Sequence, residues 1–268
     1  MIDLEWLTTQ VAGLVRETGV FIAAELGKVA NDQIETKDKN SLVSYVDKTA
    51  EQMLVKGLKP LLPGASFMTE EETDQAKKTS SAYTWIIDPL DGTTNFLHQL
   101  PCFAISVALA YNNEIQIGVV LEINRGELFK AWKGGGAYLN NNPIRVSNTH
   151  KLEDALIATG FPYIDFSHFD VYLPVFNHLL RNCRGIRRWG AAAVDLVYVA
   201  CGRFDGFFEG SLNAWDVAAG LLIVEEAGGS SCDFNGGNAQ WFGGKVIAGN
   251  KHINQELKNL FLTVPPKP

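Results

Sequence analysis

Two aspartates, Asp88 and Asp91, follow directly after the apolar run 85–87 and are separated only by Pro89 and Leu90. The apolar run predicts a buried strand, and because proline cannot continue a helix or a central strand, we expect both carboxylates to lie at the strand end. Two carboxylates about 4 Å apart repel by roughly 4 kcal/mol at an effective dielectric constant of about 20. A bound cation removes this repulsion, so the spacing predicts a cation site.

The segment 92–95, Gly-Thr-Thr-Asn, comes immediately after these aspartates. It predicts a turn followed by a helix whose start is capped by threonine hydroxyl groups. Backbone N–H groups at such a helix start bind phosphate. A cation site beside an anion site is the arrangement of metal-assisted phosphoryl chemistry. An ordinary Asp-Gly turn before a capped helix is the alternative, and the two aspartates alone do not exclude it.

The chain has 268 residues, of which 46% are hydrophobic, so it is long enough to bury a large core. We expect one compact protein of two subdomains. The formal net charge of -7 argues against a nucleic-acid surface built on net positive charge. The basic segment 181–188 leaves two interpretations open, a local basic patch or an ordinary solvated face.

The four cysteines form no C-x-x-C pair and lie among apolar neighbours, which predicts buried free thiols in a reducing cytoplasm. Neither H-E-x-x-H nor G-x-S-x-G occurs, so we expect no zinc site and no serine hydrolase. No apolar stretch reaches the roughly 18 residues that span a bilayer, and the first residues include Asp3 and Glu5 instead of a basic region. We therefore expect neither export nor membrane insertion, and a cytoplasmic location.

The first half of the chain predicts helices followed by strands. Apolar residues recur at helical spacing over 4–26 and 44–62, which predicts two long amphipathic helices. A short strand is predicted at 66–69, and the polar stretch 74–81 is predicted as a loop. Further strands, joined by tight turns into an antiparallel meander, are predicted at 102–111, 114–123, 127–132 and 137–139.

After the polar stretch 145–153, strands and helices alternate. The predicted strands are 155–159, 184–187, 204–208, 230–233 and 245–248. The predicted helices are 169–182, 191–201, 214–227 and 252–262. This alternation predicts a layered α/β subdomain. We expect the two subdomains to span residues 1–146 and 147–268.

Two strings of this sequence resemble the signatures of a known family. D-P-L-D-G-T-T-N-F at 88–96, after a W-I-I strand, resembles the first signature of the inositol monophosphatase family of lithium-sensitive, Mg²⁺-dependent phosphatases. W-D-V-A-x-G at 215–220 resembles the second signature. The resemblance extends from Leu42 to about Gly249. It implies an α+β fold with layers in the order α-β-α-β-α, in which an antiparallel-sheet subdomain precedes a mixed-sheet α/β subdomain.

The resemblance implies that the cofactor is Mg²⁺. Glu70, Asp88 and the carbonyl group of Leu90 would hold one ion. Asp88, Asp91 and Asp216 would hold a second. Glu70 opens a run of three acids, for which solvated side chains are the ordinary alternative. Asp216 lies in the first turn of a predicted helix, where interaction with the helix dipole is the alternative.

The resemblance also implies catalytic roles for Glu70, Thr93 and Asp47. Asp47 ends the string L-V-S-Y-V-D, where the family has L-V-T-x-x-D. The family pairs this acid with the threonine, and the pair would accept a proton from the attacking water. The alternatives are that Thr93 caps one helix and Asp47 favours the dipole of another, each worth about 1 kcal/mol.

The resemblance further implies a set of substrate contacts at Gly92, Thr93, Ala192, Glu209 and Asp216. A family lysine that faces the phosphate aligns with Lys37 or Lys39. Asn213 stands where animal members have a histidine, and Trp189 is bulkier than the residue expected there. These two positions change the expected shape of the substrate pocket.

The implied function is hydrolysis of myo-inositol monophosphate to myo-inositol and phosphate. A sugar-, histidinol- or nucleotide-phosphate phosphatase of the same superfamily is one alternative. Another is a regulatory protein that associates with RNA polymerase or RNA-processing machinery, as some bacterial relatives do. The resemblance also implies a homodimer and inhibition by Li⁺. We expect no membrane partner and no direct binding of nucleic acid.

Overall fold

The structure, a computed structural model, describes residues 2–38, 41–73, 81–162, 165–238 and 241–263. Residues 74–80 of the predicted loop and the tail 264–268 lie outside this part of the chain. None of the helices within the described ranges is both long enough and apolar enough to cross a lipid bilayer.

Two amphipathic helices open the chain, as their apolar spacing predicts. Helix α1 spans Leu4–Glu25 and helix α2 spans Tyr45–Leu58, and each buries one apolar stripe. Strands β1 (Glu35–Asp38) and β2 (Ser41–Val43) pair antiparallel between these helices. The polar composition of this segment does not predict the pair.

The first sheet is formed by successive segments of the chain, and a short helix α3 (Thr93–Leu97) interrupts them. Its strands are β3 (Ser66–Thr69), β4 (Tyr83–Asp91), β5 (Ala104–Tyr111), β6 (Glu114–Glu122), β7 (Glu127–Trp132), β8 (Gly136–Leu139) and β9 (Asn142–Pro143). They lie side by side in sequence order. Strands β3 and β4 run parallel and every other neighbouring pair is antiparallel, which confirms the predicted meander.

The second sheet has mixed strand directions, as predicted. Its strands are β10 (Leu156–Thr159), β11 (Gly185–Arg187), β12 (Gly206–Asn213), β13 (Ser230–Cys232) and β14 (Gly243–Gly249). Their spatial order is β11-β10-β12-β14-β13, with β10 parallel to both of its neighbours and the other pairs antiparallel. The connecting helices are α4 (Phe169–Asn182), α5 (Ala192–Ala200), α6 (Ala214–Glu226) and α7 (Lys251–Thr263).

Helices α5 and α6 form a buried layer between the two sheets. All nine residues of α5 are buried, because a helix that is apolar on every side needs protein contacts on every side. One continuous core joins both helices to Phe129 of the first sheet and Phe207 of the second. Helices α1 and α2 cover the opposite face of the first sheet, and α4 and α7 cover the second. This order confirms the predicted α-β-α-β-α layers, while the subdomain boundary after residue 146 stays a prediction.

Candidate active site

A β-bulge in strand β4 brings Asp88 and Asp91 to the same side of the sheet. Asp88 pairs with Ser106 of β5 and Asp91 pairs with Ala104, so three steps along β4 match only two along β5. In a regular strand, residues three apart point to opposite faces, and the extra residue of the bulge corrects this. The expectation that the strand stops at Pro89 was wrong, since the bulge accommodates the proline within it.

The predicted ligands and substrate contacts come together around one cavity. The ends of β3, β4 and β12 and the starts of α3, α5 and α6 form its walls. The predicted residues that line it are Glu70, Asp88, Leu90, Asp91, Gly92, Thr93, Ala192, Glu209 and Asp216. Asp47 lies behind this wall, where it is buried.

The acids around the cavity disfavour one another's ionisation. Burial, followed by the charges of Glu70, Asp91 and Asp216, raises the pKa of Asp88 well above its usual range. Burial and the charge of Asp91 likewise raise the pKa of Asp216, and burial raises the pKa of Asp91 to about 7. A cation that neutralises such a group of carboxylates favours their ionisation together.

The chemistry of these donors fits a hard divalent cation, because carboxylate and carbonyl oxygens are the ligands that Mg²⁺ takes in proteins. Across the part of the chain that the structure describes, however, no three histidine, cysteine, aspartate or glutamate side chains are placed so that they could hold a metal ion as they stand. A cation in the cavity attracts the carboxylates, so we expect them to move toward one another when it binds.

Asp47 and Asp216 occupy equivalent positions, the third residue of α2 and of α6. In each case the Oδ2 atom accepts a hydrogen bond from the backbone of the N-cap residue, Ser44 at 2.9 Å and Asn213 at 2.6 Å. Both acids therefore cap their helices, a structural role that adds to the interaction with the helix dipole expected from the sequence. The cap uses one oxygen of each carboxylate, so it does not compete with a second role for the other.

The hydroxyl group of Thr93 is not used as a helix cap, so the capping prediction was wrong. Gly92 is the N-cap of α3, with a left-handed φ of 86° that favours glycine. The Thr93 Oγ1 atom lies 2.9 Å from Oδ1 of Asp47 and 2.9 Å from the carbonyl oxygen of Leu90. The contact between Thr93 and Asp47 implied by the family resemblance is thus present, and its catalytic role stays a prediction.

The start of helix α5 contacts Asp91. The backbone N–H of Ala193 donates to Oδ2 of Asp91 at 2.7 Å, and the backbone of Ala192 also lowers the pKa of this carboxyl. The positive end of the helix dipole thereby favours the charged form of Asp91. Sequence reasoning assigned Ala192 to the substrate and missed Ala193, because the contact depends on how α5 packs against the first sheet.

The sequence matches the profile of the inositol monophosphatase family over residues 3–263. The chain belongs to this family. An inositol-1-monophosphatase of Rhizobium meliloti is 44% identical over 246 residues, 92% of each chain. The Nus factor SuhB of Pseudomonas aeruginosa is 41% identical and covers 94% of this chain and 93% of its own. The crystal structure of the extragenic suppressor protein suhB of Bartonella henselae superposes with a TM-score of 0.89 at 39% identity, covering 95% of this chain and 98% of that one.

Membership of the inositol monophosphatase family confirms the predicted resemblance, fold and phosphatase function. The two departures from the family pattern have different consequences. Asn213 lines the cavity, whereas Trp189 packs its ring against Tyr198 and Phe204. The backbone carbonyl of Trp189 accepts from the side chain of Asn95 at 2.8 Å. The bulk of Trp189 therefore fills the core beside the site, and the expectation that it reshapes the pocket was wrong.

A second bulge, in strand β12 between Glu209 and Leu212, opens the cavity on its other side. Burial raises the pKa of Glu209 to about 8, and the charge of Arg188 counteracts this rise. A Cβ atom on Gly160 would lie only 1.9 Å from Oε1 of Glu209, so this carboxylate takes the space that a side chain would need.

Sequence reasoning missed Arg188 and Gly160 as residues of this site. Arg188 belongs to the basic segment 181–188. Its position just after β11 is the signal that could have assigned it to the site instead of to a solvated surface. Gly160 likewise follows directly after β10. The side chain of Lys37 and the whole of Lys39 lie outside the described residues, so the phosphate-facing lysine stays a prediction.

Proposed function

We propose that this protein is a Mg²⁺-dependent phosphomonoesterase that hydrolyses myo-inositol monophosphate to myo-inositol and phosphate. The observation that carries the proposal is one cavity lined by Glu70, Asp88, Asp91 and Asp216 beside the start of helix α3. The acids fit cations, and the helix start fits the phosphate group. The Rhizobium meliloti relative named inositol-1-monophosphatase supports the choice of substrate.

Two Mg²⁺ sites account for the donors around the cavity. Glu70, Asp88 and the Leu90 carbonyl would hold one ion, and Asp88, Asp91 and Asp216 the other. When bound, Mg²⁺ supplies positive charge that offsets the charge of the phosphate and makes water more acidic. The carboxylates fix the place of that charge, and α5 keeps Asp91 oriented through the N–H of Ala193.

The attacking water would lose its proton to the Thr93–Asp47 pair. Asp47 holds the Thr93 hydroxyl at 2.9 Å, and Ser44 fixes Asp47 from the other side. Burial raises the pKa of Asp47, and hydrogen bonds from Ser44 and Thr93 counteract the rise. Glu70, across the cavity, would orient the same water. The chain thus supplies an ordered path for one proton.

The substrate would bind across the cavity, with phosphate at Gly92 and Thr93 and the ring toward β12. Glu209 would hydrogen-bond to ring hydroxyl groups, Ala192 would contact the ring through its backbone, and Asp216 would lie beside the scissile ester. A carboxyl group with a pKa of about 8 both accepts and donates hydrogen bonds near neutral pH. This suits a polyol, whose hydroxyl groups also do both.

Phosphate release from a panel of esters tests the proposal. The purified protein is incubated with myo-inositol monophosphate, fructose bisphosphate, histidinol phosphate and adenosine bisphosphate, with Mg²⁺ or with EDTA. We expect the highest kcat/KM for the inositol ester and no activity in EDTA. A higher kcat/KM for another ester would transfer the assignment to that member of the superfamily, and activity in EDTA would refute the metal dependence.

A second role, association with RNA polymerase, is favoured by the 41% identical relative named Nus factor SuhB. The net charge of -7 favours contact with protein over direct contact with RNA. A pull-down of RNA polymerase with the wild type and with Asp91→Asn separates this role from catalysis. Equal capture by both would establish a role independent of turnover, and no capture by either would refute it.

We further propose a homodimer, inhibition by Li⁺ and a cytoplasmic location. Leu173 and Leu180 of α4 expose 48% and 59% of their surface, so a second copy that packed against this helix would bury apolar side chains. Li⁺ would occupy a cation position with too little charge. The four free cysteines support a reducing compartment. Light scattering tests the homodimer, and a monomer mass would refute it. A LiCl titration of phosphate release tests the inhibition by Li⁺, and unchanged activity would refute that.

A further inference from the structure

Glu51 of helix α2 is a fully buried acid that binds the backbone just after Glu70. Its Oε2 atom accepts from the N–H of Glu71 at 2.7 Å. Its Oε1 atom accepts from the N–H of Thr73 at 2.7 Å and from the Thr73 hydroxyl group at 2.6 Å. The side chain has no solvent exposure. Both carboxylate oxygens are therefore used to hold one short turn.

The turn held by Glu51 has an uncommon backbone conformation. Glu72, at its centre, has a φ of 48°, in the left-handed region that non-glycine residues rarely adopt. Glu51 binds the N–H groups on either side of Glu72. These hydrogen bonds offset the conformational cost of the left-handed φ at Glu72, so the turn depends on the Glu51 carboxylate.

This turn determines where the Glu70 carboxylate lies. On the side of the sheet, the N–H of Glu70 donates to the carbonyl oxygen of Ile87 at 3.3 Å, which continues the pairing of β3 with β4. On the other side, the next residue is held by Glu51. Glu70 is thus fixed between the sheet and α2, with its side chain in the cavity wall.

A carboxylate at position 51 needs an explanation, because its neighbours on the same face of α2, such as Ala50 and Leu54, are apolar and buried. A buried charge is unfavourable unless hydrogen bonds satisfy it. Three donors from 71–73 do so here. Asp47, one helical turn earlier, holds Thr93 in the same way. Helix α2 therefore connects the backbone beside a proposed metal ligand with the proposed proton acceptor.

We propose that Glu51 is a positioning residue that holds the turn 71–73 so that Glu70 faces Asp88 across the cation site. The inference rests on the proposed function, in which Glu70 is a metal ligand. Removing the constraint lets Glu70 move away from Asp88, so cation affinity falls while the substrate contacts on β12 are unchanged. Mutation of a group that orients a metal ligand typically lowers metal affinity by about 10- to 100-fold.

Two substitutions and two matched controls test the role. Glu51→Gln keeps the shape but presents an NH₂ group to a backbone N–H, and Thr73→Val removes one donor without changing the side-chain shape. Thr73→Ser keeps that hydroxyl group, and Glu72→Gln changes an exposed acid in the same turn. The measurements are the dissociation constant of Mn²⁺ by electron paramagnetic resonance without substrate, and the Mg²⁺ concentration at half-maximal phosphate release.

We expect Glu51→Gln to raise both values by about tenfold or more, and Thr73→Val by about threefold from the loss of one hydrogen bond. Thr73→Ser keeps the hydrogen bond to Glu51, and Glu72→Gln changes an exposed side chain. Both should therefore stay within about twofold of the wild type. KM for the ester at saturating Mg²⁺ should be unchanged.

Unchanged Mn²⁺ affinity in Glu51→Gln, with only a lower melting temperature, would overturn the inference and leave Glu51 a structural residue. If Glu51→Gln does not fold, the comparison of Thr73→Val with Thr73→Ser tests the inference instead. Equal Mn²⁺ affinities of these two variants would overturn the inference. A wild type that binds no Mn²⁺ would instead refute the proposed function.

Discussion

The hydroxyl group of Thr93 lies 2.9 Å from Oδ1 of Asp47, on the buried side of the cavity. A hydroxyl group carries one proton, so Thr93 donates either to Asp47 or to the Leu90 carbonyl oxygen at the same distance. Donation to Asp47 leaves an oxygen lone pair for a proton from the cavity. The pair is therefore arranged to pass a proton to a carboxylate that solvent does not reach.

If this pair accepts a proton, Thr93→Ala and Asp47→Asn should each lower kcat by about 10²-fold or more, with Mg²⁺ affinity mostly kept. The double mutant should be little slower than either single mutant, because groups that act as a unit are not additive. Steady-state kinetics with a Mg²⁺ titration measure both quantities. Thr93→Ser, which keeps the hydroxyl group, is the control. Near-normal turnover with a lowered melting temperature would leave only a structural role.

Asp91→Asn should abolish Mg²⁺-dependent phosphate release while the protein stays folded. The carboxylate faces the cavity and takes little part in apolar packing, and an amide is a weaker donor to a hard cation. Circular dichroism and a phosphate assay are the measurements. Asp170→Asn, at an exposed acid of α4, should leave both unchanged. Turnover in folded Asp91→Asn would contradict the assignment of this residue to a metal.

The stability of the metal-free protein should fall as the pH rises. Burial raises the pKa of Asp91 to about 7 and of Glu209 to about 8, above their ordinary values of 3.8 and 4.5. The folded state therefore binds these protons more tightly, so their contribution is complete below about pH 4 and is lost toward about pH 8. In EDTA, we expect the melting temperature to decrease across this range.

Mg²⁺ should reduce this loss, because a cation stabilises the charged carboxylates. A ligand at about 100 times its dissociation constant adds about 2.7 kcal/mol to the free energy of unfolding. Melting curves from pH 5 to pH 8.5 in EDTA or MgCl₂, with NaCl to match ionic strength, measure the effect. Parallel curves with and without Mg²⁺ would contradict a cation site formed by these acids.

Gly160→Ala should displace the Glu209 carboxylate, since the added Cβ atom would lie 1.9 Å from its Oε1 atom. We expect KM for the inositol ester to rise by about tenfold, as for the loss of one hydrogen bond. The kcat/KM for p-nitrophenyl phosphate, which lacks ring hydroxyl groups, should change little. Gly13→Ala, at a helical site with open space, is the control. Equal losses for both esters would show a general disturbance of the site.

The fold was predictable because the spacing of apolar residues and the turn residues indicate most of its helices and strands. The features that were not predicted depend on pairing with strands that lie elsewhere in the chain. Pro89 marks a strand end when β4 is considered alone, and only the register with β5 shows a bulge. Strand β1 contains no apolar residue, so no alternating pattern reveals its pairing with β2.

The predicted site residues were found through two signatures, whereas their supports were not. Glu51 looks like an ordinary helix acid, and only its contacts with 71–73 reveal that it is buried. Ala193 acts through its backbone, which any residue type provides. Residues that position a metal-binding side chain are thus harder to predict than that side chain, because many residue types in many contexts can form the same hydrogen bonds.

The position of α6 in the sequence sets the earliest point of synthesis at which the whole site can form. Glu70 and Asp216 are well over a hundred residues apart in the chain, and they meet only after α6 is enclosed by both sheets. A ribosome-bound chain that ends before α6 contains Glu70, Asp88 and Asp91 but lacks Asp216 and the helix that carries it. The proposed cation position that includes Asp216 therefore cannot form until the chain has been synthesised past the start of α6.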